Sequence, residues 1–295
     1  LGLFPRIPSC RCCMRNAPAC ANAPAGDAAG GTPGGVSAAG APGIAPAGEA
    51  AGVVPDVVPE PIRGICYRCL RPLSSCYCKY IRPFDSGVKF VLLMHPKEAK
   101  RQRTGTGRLA HLTLEDSEIL VGVDFTENKR LNALLADPAY YPVLLYPGPD
   151  AWTAGREGFR ECLGNRTLLV IIIDSTWACS KKMIKLSRNV LALPKFSFSG
   201  SYRSIYTFKR EPKEYCVSSI ESCYYLIKEL QAASVLPAKV NPEPLMDVFR
   251  ELVKFQLQKE NERITLGLPG SHAYDWKYTR VKDIPRLSPE QPESV

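Results

Sequence analysis

The chain has no apolar run approaching the ~18 residues that a bilayer-spanning helix requires. It shows no secretory signal with a compact apolar core. The expectation from these absences is an intracellular protein whose thiols stay reduced. Acid is missing from residues 1–20, which carry Arg6, Arg11 and Arg15. Large apolar and aromatic side chains are scarce over residues 21–60, where Ala, Gly and Pro dominate without helical or strand period. Such a stretch cannot offset its own ordering entropy. Residues 1–61 therefore read as a disordered leader. An acid-free, Arg-containing start before an Ala-rich stretch resembles an organelle transit peptide. The compartment is then cytoplasm or nucleus, or chloroplast or mitochondrion if the leader acts as such a peptide.

What is present is a basic, cysteine-rich chain. Its 295 residues allow one large domain or two modest ones. The net charge of +9 lies wholly beyond residue 60, since residues 1–60 hold three basic and four acidic side chains. A basic folded region suits a polyanion, RNA or DNA above all. Of the 12 cysteines, Cys162, Cys179, Cys216 and Cys223 are scattered and read as small buried hydrophobes. Cys66, Cys69, Cys76 and Cys78 form two close pairs, Cys-x2-Cys and Cys-x-Cys, six residues apart. Two pairs of thiols on tight turns can close a tetrahedral site around one Zn²⁺, which supplies folding energy to a segment too short for a core. A redox Cys-x-x-Cys would need a strand–helix context that is missing here, and an iron–sulfur cluster stays open. Residues 62–84 thus form a four-cysteine zinc knuckle.

Strand candidates are Val88–Met94, Ile119–Val123, Pro142–Tyr146, Leu168–Ile173 and Val190–Leu193. Helical patterns occupy Phe125–Leu135, 177–187 and 218–231. Strands alternating with helices imply an α/β fold with a mostly parallel sheet, here residues 85–235. Residues 236–295 hold a last amphipathic helix, roughly 243–260, and a polar tail from about residue 261.

Leu168–Ile173, four of its six residues β-branched, reads as a strand buried on both faces. It runs into Asp174-Ser175-Thr176-Trp177. A carboxylate at a strand's carboxyl end sits where α/β proteins keep their ligand crevices; the alternative is that Asp174 caps the following helix. After the first strand, residues 95–110 place Lys97, Lys100, Arg101, Arg103 and Arg108 within twelve positions, with a Thr104-Gly105-Thr106-Gly107 turn. Neither the Walker nor the dinucleotide spacing is present. Glycine N–H groups near a helix start suit an anion. Ser218 or Ser219 would cap the helix that follows, with Glu221 in its first turn.

These four motifs, in this order over about residues 64–231, resemble the DTW-domain family. The Asp-x-Thr-Trp motif appears as Asp174, Thr176 and Trp177, with Ser175 where Gly is frequent. The family's Ser-Thr-x-Glu-Ala appears as Ser218-Ser219-Ile220-Glu221-Ser222, and its Tyr-x-x-Arg as Tyr206 to Lys209. The resemblance implies a fold similar to the knotted SPOUT-type methyltransferases. It implies that the 3-amino-3-carboxypropyl group of S-adenosylmethionine is transferred to N3 of a tRNA uridine, releasing methylthioadenosine. Asp174, Thr176 and Trp177 are then the catalytic candidates. Leu193, Pro194, Tyr206, Ser218, Ser219 and Glu221 are the candidates for binding S-adenosylmethionine. His95, Lys97, Lys100, Arg101, Arg103, Thr104, Thr106, Gly107, Arg108, Lys181 and Lys182 are those for RNA. Asp174 would be the base, its carboxyl raised by burial beside Trp177, or would hold the ammonium of S-adenosylmethionine. The rival readings are a SPOUT-like methyltransferase and a non-catalytic zinc-containing RNA-binding protein.

Overall fold

The computed structural model describes residues 64–101, 105–206 and 216–268. Of Arg101 and Trp177 only the backbone is described. The leader read over 1–61, Arg103, Thr104, Lys209 and the tail beyond residue 268 lie outside the described residues.

Five strands, β1 (Lys89–Met94), β2 (Ser117–Val121), β3 (Tyr140–Leu145), β4 (Thr167–Asp174) and β5 (Lys195–Phe196), form one sheet in the order β2-β1-β4-β3-β5. Every pairing is parallel. β1 and β4 lie inside the sheet, and their alternation splits the core in two. Phe90, Leu92, Leu168, Val170 and Ile172 face one apolar cluster. Val91, Leu93, Leu169 and Ile171 face the other. The first cluster is closed by α2 (Thr106–Thr113), α4 (Phe159–Leu163), α7 (Ser219–Ala232) and α8 (Glu243–Thr265). The second is closed by α3 (Lys129–Ala136), α5 (Trp177–Leu186) and α6 (Arg188–Leu191). A strand buried on both faces needs no polar alternation, which is why β4 reads as a continuous apolar run.

One expected strand is corrected. Val190–Leu193 does not pair in the sheet; Arg188–Leu191 is the helix α6, and β5 follows at Lys195–Phe196. Four apolar residues do not distinguish a short strand from a short buried helix. Pro194 disfavours helix at Leu193, so the extended backbone begins only after the apolar run. The last helix is longer than its apolar stripe suggests, reaching Thr265, and it belongs to the core. Leu245, Val248, Phe249, Leu252 and Val253 are fully buried in the first cluster. Tyr77 and Ile81, from the cysteine-rich segment, join the same cluster. Tyr77 meets Phe255 of α8 edge to face at 6.3 Å. That contact sets the cysteine segment directly on α8.

Candidate active site at the carboxyl end of β4

Asp174 is the last residue of β4, in register with Met94 at the end of β1. The His95 N–H donates to the Asp174 carbonyl at 3.1 Å. From these neighbours the chain departs in opposite directions, β1 towards β2 and β4 past β3 towards β5. Such a switch point opens a crevice outside the strand ends, where α/β proteins bind their ligands.

The side chain of Asp174 does not cap α5. Thr176 holds the N-cap position there. The Asp174 carboxylate instead accepts a hydrogen bond from the Ser219 hydroxyl at 2.5 Å. It also lies against Gly107, where a Cβ would come within 2.3 Å of Oδ2 and 2.6 Å of Cγ. Gly107 is the second residue of α2 and Ser219 the first of α7. A carboxylate only 6% exposed thus sits at the start of two helices, where orphan N–H groups and the helix dipole favour negative charge. Cys223, one turn further along α7, is fully buried, and burial together with the charge of Asp174 pushes its thiol up. That thiol is inert as a nucleophile.

α7 carries two more buried carboxylates. Glu221 accepts from the Ser204 hydroxyl at 2.7 Å, the Ile205 N–H at 2.8 Å and the Ser218 N–H at 2.8 Å. With Ser218 it completes a capping box. Two turns later, Glu229 accepts from the N–H groups of Ser199 and Gly200 and from the Tyr202 hydroxyl. Tyr202 stacks on Tyr225 at 3.9 Å. The segment after β5 is therefore fastened at both ends to the helix that holds Ser219.

The four sulfurs of Cys66, Cys69, Cys76 and Cys78 lie within 4.8 Å of one another. Cys66 and Cys78 are 3.6 Å apart, and Cys69 and Cys76 are 3.7 Å apart. A tetrahedral Zn²⁺ with bonds of about 2.3 Å separates its sulfurs by about 3.8 Å, so the donor set fits that ion. The backbone N–H groups of Cys69 and Arg68 favour the Cys66 thiolate and bring it down to about 6, while burial raises Cys76 and Cys78. Leu70, after the second cysteine, has φ of 57°. The Leu70 N–H bonds back to the Cys66 carbonyl at 2.7 Å, which closes the turn.

The family model for the DTW domain matches residues 63–257. The chain belongs to the DTW-domain family. It is 26% identical over 206 residues to tRNA-uridine aminocarboxypropyltransferase 2 of Macaca fascicularis, covering 68% of this chain and 66% of that protein. To the protein of the same name from Drosophila melanogaster it is 27% identical over 206 residues, covering 68% of this chain and 77% of that protein. To tRNA-uridine aminocarboxypropyltransferase A of Arabidopsis thaliana it is 25% identical over 226 residues, covering 66% of this chain and 81% of that protein. No solved structure matches the chain.

Within this DTW domain the expected site residues separate into groups. Asp174, Gly107, Ser219 and the His95 backbone come together. Thr176 is exposed beside them in sequence. Lys97 and Lys100 on α1 (Pro96–Arg101) and Lys181 and Lys182 on α5 are exposed. They stand on the two helices that follow β1 and β4, at the carboxyl end of those strands. Arg108 is half-buried and donates to the Ala99 carbonyl at 3.4 Å. Thr106 and Gly107 are buried, and Gly107 packs against Asp174. The His95 ring accepts from the Lys97 N–H at 3.1 Å. Leu193 and Pro194 lie two strands from β4, because the Leu144 N–H bonds Pro194 while Leu144 is level with Ile171. They are not brought together with Asp174. The Tyr206 ring is 1% exposed and packs edge to face on Phe249, in the core. Cys223 is the buried small side chain its sequence suggests, whereas Glu229 is a functional residue the sequence reading does not single out. The signal for Glu229 was there: it lies eight residues after Glu221 on the apolar side of a helix, and a buried carboxylate demands partners.

Proposed function

We propose that this chain transfers the 3-amino-3-carboxypropyl group of S-adenosylmethionine to N3 of a tRNA uridine. The N3–C bond forms as the C–S bond breaks, methylthioadenosine leaves, and the N3 proton passes to the protein. When bound, S-adenosylmethionine supplies a sulfonium-activated carbon, so the protein has to orient partners and take a proton. The observation that carries the reading is the Asp174 carboxylate, held at the switch point by Ser219 and Gly107. Asp174 accepts the uracil N–H as the bond forms.

Ser219 acts as the positioning residue for Asp174. Glu221, occupied by donors from the chain itself, positions Ser218 and the 204–205 segment and leaves ligand contact to their backbone. The residues present fit S-adenosylmethionine as a substrate: a buried anion, exposed cations, and a backbone segment fixed beforehand by Glu221 and Glu229. The exposed Lys97, Lys100, Lys181 and Lys182 engage tRNA phosphates, and the four cysteines hold a structural Zn²⁺. The sheet order, with β4 between β1 and β3 and α7 returning to the β4 end, supports the knotted SPOUT-type fold.

The test uses unmodified tRNA and S-adenosylmethionine labelled in its carboxypropyl carbons, read by mass spectrometry. Labelled uridine with methylthioadenosine is expected. Methylated tRNA with S-adenosylhomocysteine would show the rival methyltransferase. Asp174→Asn is expected to abolish turnover and to keep affinity for S-adenosylmethionine; loss of that affinity would instead make Asp174 the ammonium-binding group.

A further inference from the structure

The cysteine segment does more than hold a metal. It forms one wall of a cleft of about 440 Å³ whose other wall is α8. Leu73, Lys79 and Tyr80 line one side and Glu251, Lys254 and Phe255 the other. That volume lies in the range of about 300–1,000 Å³ that takes a small ligand or a nucleotide.

Two further observations set the chemistry of its occupant. Lys79 lines the cleft, and residues 64–84, which also hold Arg68 and Arg82, carry no acidic side chain. Lys254 adds a cation from α8, against Glu251 alone among the lining acids. The segment also exposes large side chains that a fold normally covers: Tyr67 is 74% exposed, Leu73 47% and Tyr80 36%. The Lys79 ammonium lies over the Tyr80 ring, 4.8 Å from its centre. Aromatic faces interleaved with cations bind single-stranded nucleic acid, the rings stacking on bases and the cations following phosphates.

From this juxtaposition of a ring, two lysines and a nucleotide-sized cleft, we infer that the cysteine segment and α8 form a second RNA site, one that grips an unpaired nucleotide of the tRNA substrate. The inference rests on the proposed tRNA reading. It adds a contact away from Asp174, so that the acceptor is held from two places. Tyr80 stacks on the base, and Lys79 and Lys254 take the flanking phosphates. The metal enters only by fixing the fold of the wall.

The test uses the zinc-loaded full chain with two probes, unmodified tRNA transcripts and a ten-nucleotide single-stranded RNA carrying 4-thiouridine. Tyr80→Ala is expected to weaken both complexes about tenfold, and Tyr80→Phe to restore them. Lys254→Gln lies outside the cysteine segment. It is expected to reduce the slope of log K against log salt by about 1. Photocrosslinks are expected at Tyr80 or on the facing turn of α8. Wild-type RNA affinity in Tyr80→Ala at full zinc content overturns the inference, as does an unchanged salt slope in Lys254→Gln. A cleft built for a protein partner would give that same result. If Tyr80→Ala loses its zinc, Lys254→Gln and the crosslinks decide. Failure of the transferase reaction is read separately, from whether the wild-type chain labels tRNA at all.

Discussion

Replacing Gly107 by Ala reverses an ordinary expectation. Within a helix, Gly→Ala normally stabilises by about 0.5–1 kcal/mol, because the unfolded chain loses freedom. Here the added methyl would stand 2.3 Å from Asp174 Oδ2, 2.6 Å from Cγ and 3.0 Å from Oδ1. Carbon and its neighbours are comfortable at about 3.5 Å, so the carboxylate or the start of α2 has to move by about 1 Å. The carboxylate is not the loose end of a flexible chain: Asp174 closes a central strand and is tied to Ser219 at 2.5 Å. Overpacking of this kind costs about 1–3 kcal/mol. For a domain of this size that lowers Tm by roughly 2–12 °C. The larger effect falls on turnover, where a displacement of about 1 Å costs about a hundredfold. Thermal melts and labelled transfer to tRNA read the two effects separately. In a double-mutant cycle, Gly107→Ala made on an Asp174→Ala background should recover its helical benefit, because the atoms it meets are gone. A Gly107→Ala protein with raised Tm and full turnover would refute the reasoning.

Three more outcomes follow from single contacts. Ser219→Ala removes the hydroxyl that fixes Asp174 and should slow turnover about tenfold or more, in keeping with about 1.5–3 kcal/mol for a hydrogen bond to a charged group; Ser219→Thr should restore most of it, and equal loss in both would count against a role for the hydroxyl. Glu118 accepts from Arg130 at 2.8 and 2.5 Å and pairs with Lys89 at 2.9 Å, which together hold its carboxyl down at about 2. A depressed carboxyl contributes stability above its unfolded value of about 4.3 that is lost as pH falls through about 2. Arg130 is exposed, so solvent screening keeps the contribution small, and Glu118→Gln should flatten the loss of Tm between about pH 4.5 and 2, unlike a distant carboxylate variant. Removing zinc with a chelator, or Cys69→Ser, should loosen Tyr77 and Ile81 from the core shared with α8. One transition at lower Tm is then expected, whereas an early melt of the cysteine segment that left the main transition in place would show the two to be independent.

The elements that announced themselves in the sequence were those whose environment matches a simple period. β4 is apolar throughout because both faces are covered, and α7 shows its stripe and its capping box because both are local. Val190–Leu193 reads as a strand because four apolar residues cannot reveal a period, and Pro194 shifts the extended backbone past them. α2 was legible only as a glycine turn among cations, since its partner Asp174 is 67 positions away in the chain. The same distance hid the contact that defines the candidate site. Glu221 and Glu229 were visible as residues, but what they bind, the backbone after β5, is brought to them by the fold.

The arrangement also explains why a strand-end aspartate and a glycine turn belong together. A helix start accepts a carboxylate closely only where no Cβ intervenes, and Gly107 supplies that gap. The cost of burying Asp174 is offset by the hydroxyl of Ser219 and by two helix starts. A merely structural anion would be served as well by a cap on its own helix, the place Thr176 occupies instead. Moving the carboxylate off that local role and onto α2 and α7 links the ends of β1 and β4 to the segment after β5. Any ligand that pulls on Asp174 then draws on all three.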